Sequence, residues 1–266
     1  MKLLNGRELA GFIKERQAIQ IRALVQSKKI KPKLAIILCS DNPVIATYVR
    51  LKQKYGADIG IDVEVNRIDQ KDALNKISEL NKDDSVHGII VQLPLEDITQ
   101  TDEICNAVKP SKDVDALGKG ATLDPATPMA ILWLLAGYNI DLQGKKVLII
   151  GCGKLVGAPL VKILLDSGID VSSADRNTKD LSKETLQADI IITATGSPAI
   201  LYPDMIKENV VVIDAGVASE DGKTVGDVHP SVYERQDLTI TPTKGGVGPL
   251  TVCALFENVI RASYLD

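Results

Sequence analysis

Two phenylalanines and one tryptophan in 266 residues are too few to stack a row of bases. Charge argues the same way. The 31 Lys and Arg against 35 Asp and Glu give a net charge of −4, with no basic excess to neutralise phosphates, so no nucleic acid is expected as a partner. Cysteine is scarce and scattered: Cys39, Cys105, Cys152 and Cys253 show no C-x-x-C spacing. Three of them lie in or beside apolar runs, which suits reduced cytosolic thiols rather than a disulfide framework. The two histidines do not cluster with cysteines or carboxylates at ligand spacing, so no metal is expected. No apolar run approaches the ~20 residues of a membrane span. The opening Met-Lys-Leu-Leu-Asn-Gly-Arg-Glu lacks the apolar centre of a signal peptide. The expectation is a soluble cytoplasmic protein that does small-molecule chemistry, does not enter a membrane, and is long enough for two domains.

What the chain does hold is a strand-turn-helix unit at Val147–Gly157. The run Val-Leu-Ile-Ile breaks into Gly151, Gly153 and Gly157, and an amphipathic stretch follows through Leu160, Val161, Leu164 and Leu165. A buried strand of a parallel sheet is continuously apolar, and such glycines let backbone approach a pyrophosphate at a helix N-terminus. The spacing is G-x-G-x-x-x-G, looser than the six-residue dinucleotide fingerprint, and an ordinary strand-to-helix turn has the same outline. A second strand, Ile169–Ala174, ends at Asp175-Arg176, where a ribose-reading residue belongs.

In chain order, Asn5 caps an opening helix with Glu8 three residues on. Lys33–Cys39 is a buried strand, Ser40–Pro43 a turn, Val44–Ile59 a helix and Ile61–Ile68 a half-buried strand. Lys71–Leu80 is a helix, and Val86–Val91 a third strand. The β-α-β-α-β order predicts a parallel first sheet. After a helix at Asp102–Val108, residues 109–128 are rich in Pro and Gly and mark a junction. Met129–Ala136 is a connecting helix. Strands at Lys145–Ile150, Asp189–Ala194, Val210–Asp214 and Asp237–Thr241 build the second domain. The glycine-rich link Lys244–Gly248 then frees an amphipathic segment, Pro249–Tyr264, to leave it.

Candidate chemistry lies at strand ends and in the junction. Tyr48 and Lys52 share a helix face, Gln92 ends a parallel strand, and Lys112-Asp113-Val114-Asp115 offers two carboxylates. Taken singly, such residues are ordinarily solvated surface. Their common location gives them weight.

Several stretches together resemble one family: Tyr48-Val-Arg-Leu-Lys52, His87-Gly-Ile-Ile-Val-Gln92-Leu-Pro-Leu95, Pro110-Ser-Lys-Asp-Val-Asp115, Pro125-Ala-Thr-Pro128, Val156-Gly-Ala-Pro159, Gly226-Asp227-Val228 and Gly245-Gly-Val-Gly-Pro-Leu-Thr251. They are similar, in register from about Gly6 to Asn258, to the bifunctional methylenetetrahydrofolate dehydrogenase/methenyltetrahydrofolate cyclohydrolase family. The resemblance implies two α/β domains with the active cleft between them. Residues 1–128, completed by 249–266, form the folate domain, and 129–248 form a Rossmann-type dinucleotide domain. It implies tetrahydrofolate substrates, NADP with NAD as the alternative, a homodimer, and a place in one-carbon metabolism and purine biosynthesis. Carried over by residue, Lys52 is the catalytic lysine, Tyr48 lines the folate site, Gln92 bonds the lysine, and Asp115 holds the pterin. Gly248 and Pro249 also contact substrate. The dinucleotide falls to Gly151, Cys152, Gly153, Lys154, Val156, Asp175, Arg176, Thr195, Gly196 and Gly216. An Asp115 too close to Lys52 would raise its pKa, so Asp115 is expected to face the pterin and not Lys52.

The chain departs from the family pattern at four places. Gly151-Cys152-Gly153 replaces Gly-Arg-Ser, and Ala174-Asp175-Arg176 replaces Cys-His-Ser. Ala116 stands for Gly and Ala126 for Cys. The first two remove the usual 2′-phosphate partners and put a carboxylate nearby, which leaves NADP against NAD open. Two rivals stay open: a shikimate or amino-acid type Rossmann dehydrogenase, and a nucleotide-binding regulator without catalysis.

Overall fold

Continuous burial is the signature that the apolar runs predict, and the strands they form show it. In a computed structural model of the chain, which describes residues 1–220 and 223–264, the runs Leu34–Leu38, Gly88–Val91, Val147–Ile150 and Ile190–Thr193 are buried along their whole length. The elements in order are β1 (Lys2–Leu3), α1 (Gly6–Lys28), β2 (Lys33–Leu38), α2 (Pro43–Ile59), β3 (Asp62–Arg67), α3 (Ala73–Lys82) and β4 (Gly88–Val91). There follow α4 (Thr101–Asn106), α5 (Ala126–Gly137), β5 (Val147–Ile150), α6 (Gly157–Asp166), β6 (Val171–Ala174), α7 (Leu181–Gln187) and β7 (Ile190–Thr193). The last are β8 (Val211–Asp214), β9 (Ala218–Glu220), β10 (Lys223–Val225), β11 (Thr239–Ile240) and α8 (Val247–Ala262).

The chain forms two compact units. One comprises residues 11–126 and those from Val252 onward; the other comprises Met1–Ala10 and Thr127–Thr251. Residues 1–10 pack with the second unit rather than with the rest of 1–128. The reason is β1, two residues whose backbone pairs in parallel with β11, with Lys2 N–H to Leu238 O at 2.8 Å and Leu4 N–H to Ile240 O at 2.9 Å. The last two residues of the 249–266 segment lie outside the described residues.

In the first unit the sheet order is β3-β2-β4, all parallel. One sheet face buries Ala35, Ile37, Ile89 and Val91 against Ala73, Ile77 and Leu80 of α3 and Ile104 of α4. Full burial of each such aliphatic side chain contributes about 1.5–3 kcal/mol. In the second unit the sheet order is β1-β11-β8-β7-β5-β6, again parallel throughout, with the antiparallel pair β9–β10 apart from it. β6 is one of the two edge strands, and Ser172 and Ser173 are exposed there. Neither β1 nor the β9–β10 pair carries a pattern the sequence reading detects. Among the described residues no helix is long and apolar enough to cross a membrane.

Ala116, where the family pattern has Gly, sits at φ +56°. A side chain in that left-handed region costs roughly 1–2 kcal/mol, partly offset by the stiffer unfolded chain that Ala provides over Gly, about 0.4–1 kcal/mol. Ala116→Gly should therefore raise the unfolding midpoint by about 1–4 °C. A midpoint that stays put or falls in a thermal scan would show that the methyl group packs usefully.

Candidate active site

Parallel sheets expose their chemistry where strands end, and in the first unit three segments converge there. β2 runs into the turn that starts α2, and α2 carries Tyr48 and Lys52 one turn apart. β4 runs into Gln92. The Lys52 ammonium donates to Gln92 Oε1 at 2.7 Å, and Gln92 Nε2 donates to the Leu93 carbonyl at 3.1 Å. That second bond uses one amide hydrogen and fixes the orientation of the group, so that its oxygen faces the lysine.

Asp115 arrives by a different device. Residues 112–113 run beside β4 like a short extra strand, with Ile89 N–H donating to Lys112 O at 2.7 Å and Ile89 bridged in parallel to Asp113. Two residues further on, Asp115 emerges at the same end of the sheet as Gln92. The loop is pinned by Asn258 of α8, a buried amide that donates to Val114 O at 2.9 Å and Asp124 O at 2.7 Å. α8 in turn is tied to α1 and α2. Gln17 Nε2 donates to Cys253 O at 2.9 Å, the Tyr55 hydroxyl donates to Gln17 Oε1 at 2.7 Å, and Tyr55 packs on Phe256 with ring centroids 4.9 Å apart.

The other two charged members of Lys112-Asp113-Val114-Asp115 are structural. Lys112 is buried and donates to the carbonyls of Leu80 at 3.2 Å and Asp83 at 2.8 Å, at the C-terminal end of α3. Asp113 accepts the Gly118 N–H at 2.7 Å.

Burial lowers the Lys52 pKa, and Asp115 works against it; burial raises the Asp115 carboxyl, and Lys52 works against that. Among the described residues no hydrogen bond or ion pair joins Asp115 to Lys52, and the influence between them is one of charge through space. Burial is the larger influence on the lysine, so the shift remains downward. Tyr48 stands 40% exposed on the same helix. Together these groups offer a proton carrier of reduced basicity, an amide that orients it, and an acceptor pair suited to adjacent N–H donors.

In the second unit the expected dinucleotide residues lie at the ends of four neighbouring strands: Gly151 after β5, Asp175 after β6, Thr195 and Gly196 after β7, and Gly216 after β8. Gly151 adopts φ +98°, and a Cβ at Gly157 would lie 1.7 Å from the Gly151 carbonyl oxygen. The turn thus closes only with glycine at Gly157. Val156 sits at the N-cap of the ten-residue α6 with no side-chain cap, but Ala158 N–H donates to the Gly153 carbonyl at 3.1 Å and Pro159 has no N–H, so it is the backbone room left by the turn's glycines, not a row of helix donors, that suits an anion. This arrangement fits a pyrophosphate. Cys152, Gly153 and Lys154 are exposed along the turn. The Asp175 carboxylate accepts the Asn177 N–H at 2.8 Å and the Asn177 side-chain amide at 3.2 Å, whereas no hydrogen bond or ion pair holds the exposed Arg176 among the described residues. Gly248 and Pro249 occupy the first turn of α8 and fall in this second unit.

Sequence reading gives no role to Asn258 or Asp214, and it finds Asp227 only as part of the Gly226-Asp227-Val228 stretch. Asn258 leaves a trace, a polar residue within the apolar stripe of the closing segment.

Comparison with known proteins gives a consistent result. The family model described as tetrahydrofolate dehydrogenase/cyclohydrolase, catalytic domain, matches residues 4–115, and that described as its NAD(P)-binding domain matches residues 125–265. The chain is 42% identical to a curated relative from Campylobacter jejuni, "Bifunctional protein FolD", over 99% of this chain and 98% of the relative. The crystal structure of the FolD methylenetetrahydrofolate dehydrogenase/cyclohydrolase from Campylobacter jejuni superposes with a TM-score of 0.93 at 41% identity, covering 100% of this chain and 99% of that one. The Trypanosoma brucei enzyme, solved with NADP cofactor and an inhibitor, matches at 28% identity and TM-score 0.91, covering 99% and 97%. Matches to both domain models, together with full-length identity above 40%, place this chain in the tetrahydrofolate dehydrogenase/cyclohydrolase family.

Proposed function

We propose that this bifunctional enzyme oxidises 5,10-methylenetetrahydrofolate to the 5,10-methenyl compound with NADP+ and hydrolyses that product to 10-formyltetrahydrofolate. The observation that carries the reading is the convergence of Lys52, Gln92 and Asp115 at one end of a parallel sheet, with Lys52 hydrogen-bonded to Gln92. The folate is assigned to the unit that holds these residues, and the dinucleotide to the other.

The dinucleotide, when bound, supplies the hydride acceptor. The turn from Gly151 through Cys152, Gly153 and Lys154 to Val156 holds its pyrophosphate, and Thr195, Gly196 and Gly216 line the neighbouring strand ends. On the folate side Asp115 accepts from the adjacent ring N–H and amino group of the pterin. Tyr48 lines the same site. Lys52, with its basicity reduced by burial, moves the protons that water attack and C–N cleavage require. Gln92 keeps the ammonium oriented without adding a charge that would raise its pKa. Mixing the protein with methylenetetrahydrofolate and NADP+ tests the whole reading. Absorbance of the methenyl product should rise and then decay, and no rise would overturn the assignment. The proposed setting is the cytoplasm and the proposed assembly a homodimer, which sedimentation equilibrium reads directly.

Cofactor choice turns on two neighbours. Asp175 spends acceptor capacity on Asn177, while Arg176 is exposed and able to pair with a 2′-phosphate. NADP should therefore be preferred, and Arg176→Gln should lower kcat/KM for NADP by about tenfold, or 1.4 kcal/mol, with little change for NAD. A tenfold preference of the wild-type protein for NAD would reverse the choice.

A further inference from the structure

Asp227 is fully buried, and its two carboxyl oxygens have different fates. Oδ2 accepts the Thr195 N–H at 2.7 Å, whereas Oδ1 has no hydrogen-bond partner. That oxygen presses on the backbone of Gly216, where a Cβ would come within 1.9 Å of it. Asp214, at the end of β8, is the complementary piece. Its Oδ1 accepts the Gly216 N–H at 3.0 Å, the Asp227 N–H at 3.1 Å and the Thr193 hydroxyl at 3.1 Å, and its Oδ2 accepts the Val228 N–H at 3.1 Å. A Cβ at Gly226 would meet that Oδ2 at 2.0 Å. Two carboxyls and two glycines thus interlock the segment after β7, the segment after β8 and the Gly226-Asp227-Val228 run.

We infer that the Asp214–Asp227 pair is a clamp that sets Thr195, Gly196 and Gly216 for the dinucleotide, with Asp227 as a positioning residue. The inference rests on the dinucleotide reading of those three residues. What this work asks of Asp227 is an acceptor for the Thr195 N–H and a side chain that fills the space against Gly216. Its Oδ1 has no partner, the Asp214 carboxylate accepts its backbone N–H, and neither carboxyl forms an ion pair among the described residues. Burial pushes the Asp227 carboxyl above the usual range, with Asp214 adding to the rise and the Thr195 N–H pulling back. Asparagine copies the shape of the aspartate while keeping an acceptor for the Thr195 N–H.

The test compares Asp227→Ala and Asp227→Asn in two assays on the full chain: NADP-dependent oxidation of methylenetetrahydrofolate, and dinucleotide-free hydrolysis of methenyltetrahydrofolate. Asp227→Ala should raise the KM for NADP at least tenfold with kcat for hydrolysis within threefold of wild type, and Asp227→Asn should restore most of the NADP affinity. An unchanged NADP KM in Asp227→Ala would overturn the inference. So would a parallel loss of both activities, which marks a merely structural role, or an Asp227→Asn variant as impaired as the alanine. If wild-type protein hydrolyses the methenyl compound but shows no dinucleotide-dependent oxidation, the dinucleotide reading itself fails and the clamp falls with it.

Discussion

Lys52→Met will cut methenyltetrahydrofolate hydrolysis by at least the ~10²-fold expected for a lost general acid/base, with a smaller loss in the dehydrogenase reaction. Methionine keeps most of the side-chain length and removes the group that carries the proton. The asymmetry comes from chemistry. Hydride leaves a carbon already activated by two nitrogens, so that step needs folate and hydride acceptor held in line, while ring opening needs protons delivered and removed. The geometry supports Lys52 for this task. Its ammonium is held by Gln92 Oε1 at 2.7 Å, and burial lowers its pKa despite Asp115. Gln92→Glu would put a carboxylate in hydrogen-bonding reach of the ammonium, raise its pKa and move the pH profile of hydrolysis upward. The assays follow decay of supplied methenyltetrahydrofolate, and reduced dinucleotide formed from methylenetetrahydrofolate, in the same variant. Unchanged hydrolysis, or a dehydrogenase loss exceeding the hydrolysis loss, means that Lys52 has another role.

Gly157→Ala should remove dehydrogenase activity, by ~10²-fold or more, and spare hydrolysis. A Cβ there would lie 1.7 Å from the Gly151 carbonyl oxygen and 2.8 Å from its carbonyl carbon, both backbone atoms that no rotamer change can clear. α6 must shift along or away from β5, and a displacement of about 1 Å in a binding element is enough to cost ~10²-fold. The residues proposed for proton transfer lie in the other compact unit, so hydrolysis serves as the internal control for folding. Isothermal titration with NADP+ gives the second readout. A variant that oxidises methylenetetrahydrofolate at the wild-type rate would show that this turn is not where the dinucleotide binds.

Much of the architecture was legible because the signals are local. The apolar runs at Leu34–Leu38 and Val147–Ile150 read as buried parallel strands, and both are. Asn5 read as a cap, and its Oδ1 accepts the Arg7 N–H at 3.1 Å. The helix predicted from Lys71 begins instead at Ala73, after a tighter turn at Gln70–Asp72. β1 was beyond reach, since its two residues form a strand only through a partner more than two hundred residues away.

The sequence by itself determined the alternation of strand and helix, the glycine turn after β5 and, through family resemblance, the residue types at the folate site. It could not rank the charges of Lys112-Asp113-Val114-Asp115, which look alike in one dimension. Tertiary structure assigned each a partner: the carbonyls ending α3 for Lys112, the Gly118 N–H for Asp113, and the electrostatic influence of Lys52 for Asp115. The same holds for Asp214 and Asp227, whose meaning depends on loops that follow different strands. Helix and strand periodicity reflects a residue's near neighbours, whereas desolvation and hydrogen bonding depend on which distant segments fill the remaining space, and only the folded chain specifies those.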